Sequence, residues 1–118
     1  MIIDKNLTFS ELQTLAAGVS TNTLDAGPAG NAYEQNFLVV KLDTPLTAAQ
    51  GLSVTIETCD TAAGTYEKLA TFEAAKGKNK AIAQRVPFGT KQYTRLNYAV
   101  TGAPAGKVSA FIAADIDI

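Results

Sequence analysis

Val108-Ser109-Ala110-Phe111-Ile112-Ala113-Ala114-Asp115-Ile116-Asp117-Ile118 is the stretch on which the fold class turns. Val108, Ala110, Ile112, Ala114, Ile116 and Ile118 fall on one side of an extended chain. Ser109, Ala113, Asp115 and Asp117 fall on the other, with Phe111 the one large exception. A period of two marks a half-buried β-strand, because successive side chains of a strand face opposite sides of the sheet. The pattern predicts a terminal strand held in a sheet.

The same alternation recurs upstream, with turn chemistry between the repeats. Phe37–Asp43 puts Leu38, Val40 and Leu42 on one face, and Thr44-Pro45 interrupts it because proline cannot donate to a ladder. Leu52, Val54 and Ile56 alternate with Ser53, Thr55 and Glu57 in the cleanest internal strand, Leu52–Thr58. Asp60–Gly64 reads as a turn, and Thr65–Phe72 as the returning arm of a hairpin. Lys76–Lys80 is a polar loop before a short strand, Ala81–Val86, which Pro87-Phe88-Gly89 closes. Along Gln92–Val100, Leu96, Tyr98 and Val100 oppose Tyr93, Arg95 and Asn97, and Thr101–Gly106 turns the chain into the last strand. Short strands separated by Gly/Pro turns predict an all-β sandwich or barrel.

The first third is ambiguous. Ser10-Glu11-Leu12-Gln13 fits a helical capping box, with Leu12, Leu15 and Ala16 as an apolar stripe. Gly18, Val19 and Ser20-Thr21-Asn22-Thr23 would cut such a helix to two turns. An extended reading instead pairs Glu11–Leu15 with Ser20–Asp25 as two edge strands. Gly27–Asn31 is a turn or exposed loop on either reading.

With 118 residues the chain suits one domain, 1–118, burying roughly 65% of its unfolded surface. Hydrophobic residues make up 47%, which argues for a packed core rather than disorder. The net charge of −1 gives no general attraction to nucleic acid or anionic lipid. A single cysteine, Cys59, precludes an intramolecular disulfide. No run approaches the ~20 apolar residues of a membrane span, and Met1–Lys5 lacks the features of a signal peptide. Together these predict a soluble protein made inside the cell.

Residue types that carry catalysis are scarce. There is no histidine, hence neither the commonest general base nor the commonest metal ligand. No ligand spacing supports zinc, no G-x-S-x-G elbow is present, and Gly77-Lys78 lacks the rest of a phosphate loop. Cys59 reads as a small strand-end hydrophobe. Asp115 and Asp117 share a face that reads as solvated, and Glu57, Asp60, Glu67 and Glu73 as ordinary surface charges around a hairpin. The expectation is no enzyme, no metal and no cofactor.

Positive charge is clustered. Lys76, Lys78, Lys80, Arg85, Lys91 and Arg95 fall within twenty residues. With Tyr93 on the strand face of Arg95, they predict either a flexible solvated lysine loop or a basic surface for an acidic partner; nucleic acid is the weaker fit. Phe111, on an otherwise polar face, is expected to be either covered or used as a subunit contact.

Three segments together resemble the small capsid cement (decoration) proteins of tailed bacteriophages. Met1–Ser10 with Gln13 resembles their opening, and Ser20–Gly27 their S-T-N-x-x-D-x-G element. Val86–Tyr98 is similar to their P-x-G-x-x-x-Y-x-R-L-x-Y signature, matched here by Pro87, Gly89, Tyr93, Arg95, Leu96 and Tyr98. The stretch between Leu24 and Gln50 is shorter than in that family. The resemblance implies a jelly-roll-like antiparallel β-sandwich on the outside of the phage head, and favours the extended reading of Glu11–Leu15. It implies a structural protein of the virion, made in the bacterial cytoplasm. The partners implied are the major capsid protein and further copies of the chain, a dimer ahead of a trimer.

Under that reading Met1–Phe9 is an extended arm whose truncation weakens shell binding without unfolding the domain. The candidate capsid or subunit contacts are Ile2, Ile3, Leu7, Phe9, Lys76, Lys78, Lys80, Tyr93, Arg95 and Phe111. The rival functions are a carbohydrate-binding sandwich, which calls for a row of coplanar exposed tyrosines, and a nucleic-acid-binding barrel using residues 76–95.

Overall fold

A computed structural model of the chain describes residues 7–25, 36–61, 63–87 and 89–113. Where the sequence alternates, the chain is extended: β1 (Thr8–Thr14), β2 (Gly18–Val19), β3 (Leu24–Asp25), β4 (Phe37–Leu42), β5 (Gly51–Cys59), β6 (Glu67–Glu73), β7 (Lys80–Arg85), β8 (Tyr93–Thr101) and β9 (Lys107–Ala113). They form two antiparallel sheets. One is four-stranded in the order β1-β9-β4-β7; the other is five-stranded in the order β2-β8-β5-β6, with β3 also on β8.

Register explains the core. Val40 opposes both Ile82 and Ala110, and Leu38 opposes Ile112, so one face of the four-stranded sheet is continuously apolar. Val54 opposes Tyr98 and Ile56 opposes Leu96 across the other sheet. These side chains pack into a single cluster that includes Phe9, Leu24, Leu46 and Val108. The all-β, two-sheet expectation holds, and so do the inward faces assigned to β4, β5 and β8.

The final strand is paired as the pattern requires over Lys107–Ala113; residues 114–118, with Asp115 and Asp117, lie outside the described residues. Its turn depends on Gly106, at φ +93°, where a Cβ would collide with the Asp43 carboxylate. That carboxylate accepts the Lys107 amide at 2.7 Å and caps the turn.

The N-terminal third corrects the sequence reading in one respect. Residues 8–14 are extended, not helical, but β1 pairs β9, while β2 and β3 pair β8. The two edge segments therefore belong to different sheets rather than to each other. The Ser10–Gln13 spacing that mimics a capping box is a side-chain contact within an irregular strand, Ser10 Oγ donating to Gln13 Oε1 at 2.5 Å.

Candidate functional site

The three segments that carry the family resemblance meet at one seam of the sandwich. The Ser10 and Tyr98 hydroxyls hydrogen-bond at 2.8 Å in the interior. Burial pushes the Tyr98 phenol up to about 12, against a smaller opposing effect of the Ser10 hydrogen bond. Ser20 N donates to Leu96 O at 2.8 Å, and Leu96 N to Ser20 Oγ at 3.1 Å. Asn22 N reaches Phe9 O at 2.9 Å, and its Nδ2 reaches Thr8 O at 3.1 Å. The S-T-N element thus stitches the edge of one sheet to the edge of the other, using donors and acceptors that an irregular edge would leave unpaired.

The last residues of the predicted arm, Met1–Phe9, belong to the sandwich, and residues 1–6 lie outside the described residues. Thr8 and Phe9 belong to β1 and are buried, and Leu7 packs against the core. Phe9 is therefore a core residue and not a partner contact, and truncation through it would open the interior. Ile2 and Ile3 lie outside the described residues.

Phe111 is 2% exposed and clusters with Val39 and Ala113 on the outward face of the four-stranded sheet. It is covered, which removes it as an exposed subunit anchor. The sequence carries a signal for this: Phe37-Leu38-Val39-Val40 and Ala110-Phe111-Ile112-Ala113 are apolar at consecutive positions, the pattern of strands buried on both faces.

The basic residues do not form one surface. Arg95 Nε donates to Glu57 Oε1 at 2.9 Å, and its guanidinium lies 3.9 Å from the centre of the Tyr66 ring. Glu57, read from sequence as a surface charge, is buried, because β5–β8 register sets it directly against Arg95 and Asn97 Nδ2 reaches its other oxygen at 3.3 Å. Lys91 is engaged by Glu67 at 3.1 Å and Asp60 at 3.8 Å; the Glu67 hydrogen bond is the main cause of its raised pKa. Arg85 sits over Phe37 at 5.0 Å, on the other sheet.

Lys76, Lys78 and Lys80 are exposed, but their loop is held in place. Gly77 N donates to Leu46 O at 2.9 Å, Ala75 N to Ala81 O at 2.8 Å, Asn79 Nδ2 to Leu42 O at 2.8 Å and Lys76 Nζ to Ala48 O at 2.9 Å. These bonds tie the lysine loop to the end of β4 and to the segment that follows it.

Tyr93 is half-buried, with Gln92 Nε2 donating to its hydroxyl at 3.4 Å. Among the described tyrosines Tyr98 is in the core and Tyr66 lies under Arg95, so they form no coplanar exposed row. Cys59 is buried at the end of β5, its sulfur 3.9 Å from Thr61 Oγ1. Among the described residues no three His, Cys, Asp or Glu side chains gather as a metal site, and no helix is long and apolar enough to cross a membrane.

Among the described residues this geometry provides a two-sheet body with one outward face of cross-strand polar pairs, an outward apolar patch out of water on the other sheet, and two exposed large hydrophobics, Leu12 and Val19. No family model and no curated protein matches this chain.

Proposed function

We propose that the chain is a non-enzymatic cement protein that binds the exterior of a tailed-phage capsid and holds neighbouring major capsid subunits together. The observation that carries this reading is the set of three resembling segments, which meet at the Ser10–Tyr98 and Ser20–Leu96 seam. Strand order supports the finer, jelly-roll reading. With β2 and β3 counted as one position on β8, the orders β1-β9-β4-β7 and (β2,β3)-β8-β5-β6 fit an arrangement of two interleaved Greek keys.

Cementing works by multivalency: each copy touches more than one capsid subunit, so modest contacts add through effective concentration. Closed self-association on a symmetry axis suits such a site. The outer strands discourage self-association by strand addition. Antiparallel pairing of two β7 strands about their centres would oppose Lys80 to Arg85, and pairing of two β6 strands would oppose Glu67 to Glu73. On these two edges strand addition is disfavoured, which leaves faces, ends and the β1 and β2 edges for contacts between copies.

The test is to add the purified protein to empty heads lacking it and image them. Density at symmetry-related positions between capsid subunits is the expected result, with heads that withstand higher temperature. Bare heads at saturating protein would overturn the reading. Light scattering then separates dimer from trimer.

A further inference from the structure

A net charge of −1 hides a segregation of charge between the two sheets. The strands of the four-stranded sheet carry Lys41, Lys80, Arg85 and Lys107 against one carboxylate, Glu11. Those of the five-stranded sheet carry Asp25, Glu57, Glu67 and Glu73 against Lys68 and Arg95.

Three of these lysines gather at one end of the four-stranded sheet, on its outward face. Val40, Leu42 and Val108 belong to the core, so Lys41 and Lys107, their neighbours along β4 and β9, point outward. Register sets Lys41 directly opposite Lys80 on one side and Ser109 on the other. Asp43 N donates to Lys107 O at 3.2 Å, which puts Lys107 beside the end of β4, diagonal to Lys41. Lys80 and Lys107 are exposed and Lys41 is half-buried. Exposed Lys78, on the loop that enters β7, adds a fourth charge. Against them stand Glu11 on the edge strand and Asp43, whose Oδ1 already accepts the Lys107 amide at 2.7 Å. Like charges directly opposed across an antiparallel pair destabilise it, so the Lys41–Lys80 placement costs the fold stability.

We propose that this end of the four-stranded sheet docks an extended acidic segment of a partner protein, whose alternate carboxylates meet Lys41, Lys80 and Lys107. The inference stands apart from the capsid reading. Spacing suits such a segment: side chains on one face of an extended chain recur about every 6–7 Å. Lysines at opposed and diagonal positions of a sheet stand about 5 and 7–8 Å apart. Nucleic acid fits less well. The described tyrosines offer no exposed row on which bases could stack, and Asp43 and Glu11 border the lysines and repel a continuous polyanion.

The experiment uses the full chain at low salt and two labelled probes, a peptide of alternating glutamate and threonine and an oligothymidine strand. Lys41→Thr, Lys107→Thr and Lys41→Glu are compared with the wild type and with Lys68→Thr, which removes one positive charge from the other sheet. Melting temperature, solution mass and affinity for each probe are read. The wild type should bind the peptide more tightly than the oligonucleotide, and lose it as salt rises. Lys41→Thr and Lys107→Thr should each weaken peptide binding about threefold to fivefold, with Lys68→Thr unchanged. Lys41→Glu should bind the peptide most weakly yet melt above the wild type, because it turns a repulsive pair into an attractive one. No peptide binding by the wild type, or equal weakening by Lys68→Thr and Lys41→Thr, would overturn the docking surface. Tighter binding of the oligonucleotide, lost in Lys41→Thr, would assign the lysines to nucleic acid and overturn the acidic segment. A wild-type oligomer that Lys41→Glu dissociates, without peptide binding, would give the face to a second copy and overturn it likewise.

Discussion

The two outward faces of the sandwich are built on opposite terms. On the five-stranded sheet the outward side chains are polar and satisfy one another across strands. Ser53 donates to Glu73 at 2.8 Å, Thr55 meets Thr71 at 2.9 Å, and Glu57 takes Arg95 at 2.9 Å and Asn97 at 3.3 Å. On the four-stranded sheet the outward side chains Val39, Phe111 and Ala113 are apolar and out of water. All nine described strands belong to the two sheets, so no third layer of described strands covers that patch. A sheet that alternates cleanly is finished by solvent, whereas one apolar on both faces is finished only by a cover. Among the described residues, the β5 and β8 members of the polar pairs on the first face are buried or half-buried, while Leu12 stays exposed at the edge of the other sheet.

The largest test of this contrast is Phe111→Ala. Removing a buried aromatic from the covered face should cost about 3–4 kcal/mol in denaturant unfolding. A cost below about 1 kcal/mol would mean that the outward patch is loosely packed, and the contrast would collapse.

Next is pH, which probes the interior between the faces. The Tyr98 phenol is raised to about 12 in the folded protein against about 10 for a free phenol. The unfolded chain therefore loses this proton first. The stability it contributes is fully present below about pH 10 and falls as pH rises towards about 12, by on the order of 2–3 kcal/mol. Alkaline unfolding of Tyr98→Phe should lack this component; identical pH profiles for the two proteins would refute it.

On the polar face, Glu57→Ala should destabilise by about 2 kcal/mol, because it strips a half-buried Arg95 of its carboxylate. The double variant with Arg95→Leu should cost less than the two single changes summed. Strict additivity would mean that the pair is no more than two independent surface charges.

The smallest effect sharpens the comparison most. Thr55→Val, at a half-buried position of the polar ladder, should move stability by no more than about 0.5 kcal/mol, since valine suits a strand. A solubility assay should nevertheless register the change. A shift above about 1 kcal/mol would show that this face is packed much like the other.

Much of the fold was legible because alternation is local. Leu52, Val54 and Ile56 on β5, and Leu96 and Tyr98 on β8, needed only the period of two to be placed inside. The double-sided burial of β4 and β9 shows in their continuous apolar runs, where period-two alternation alone makes Phe111 look like an exception. The irregular strand was not legible: Ser10 and Gln13 stand at a spacing common to a helix cap and a bulged edge, and nothing nearby distinguishes the two. The pairing of the basic residues was not legible either. Lys91 and Arg95 are close in sequence to the lysine loop, yet acidic residues on β5 and β6 claim them.

Alternation, turn residues and composition were enough to specify the all-β class, the inward faces of the regular strands, the turns and the scarcity of catalytic residue types. Each of these depends on neighbours along the chain, on side-chain alternation or on backbone chemistry at a glycine or proline. The tertiary structure alone decided which strand lies beside which, and with it the burial of Glu57 against Arg95, the stitching of Ser20 and Asn22 across the seam and the exposure of Leu12. Those properties depend on register between segments tens of residues apart. A shift of one residue would turn every one of those side chains to the opposite face.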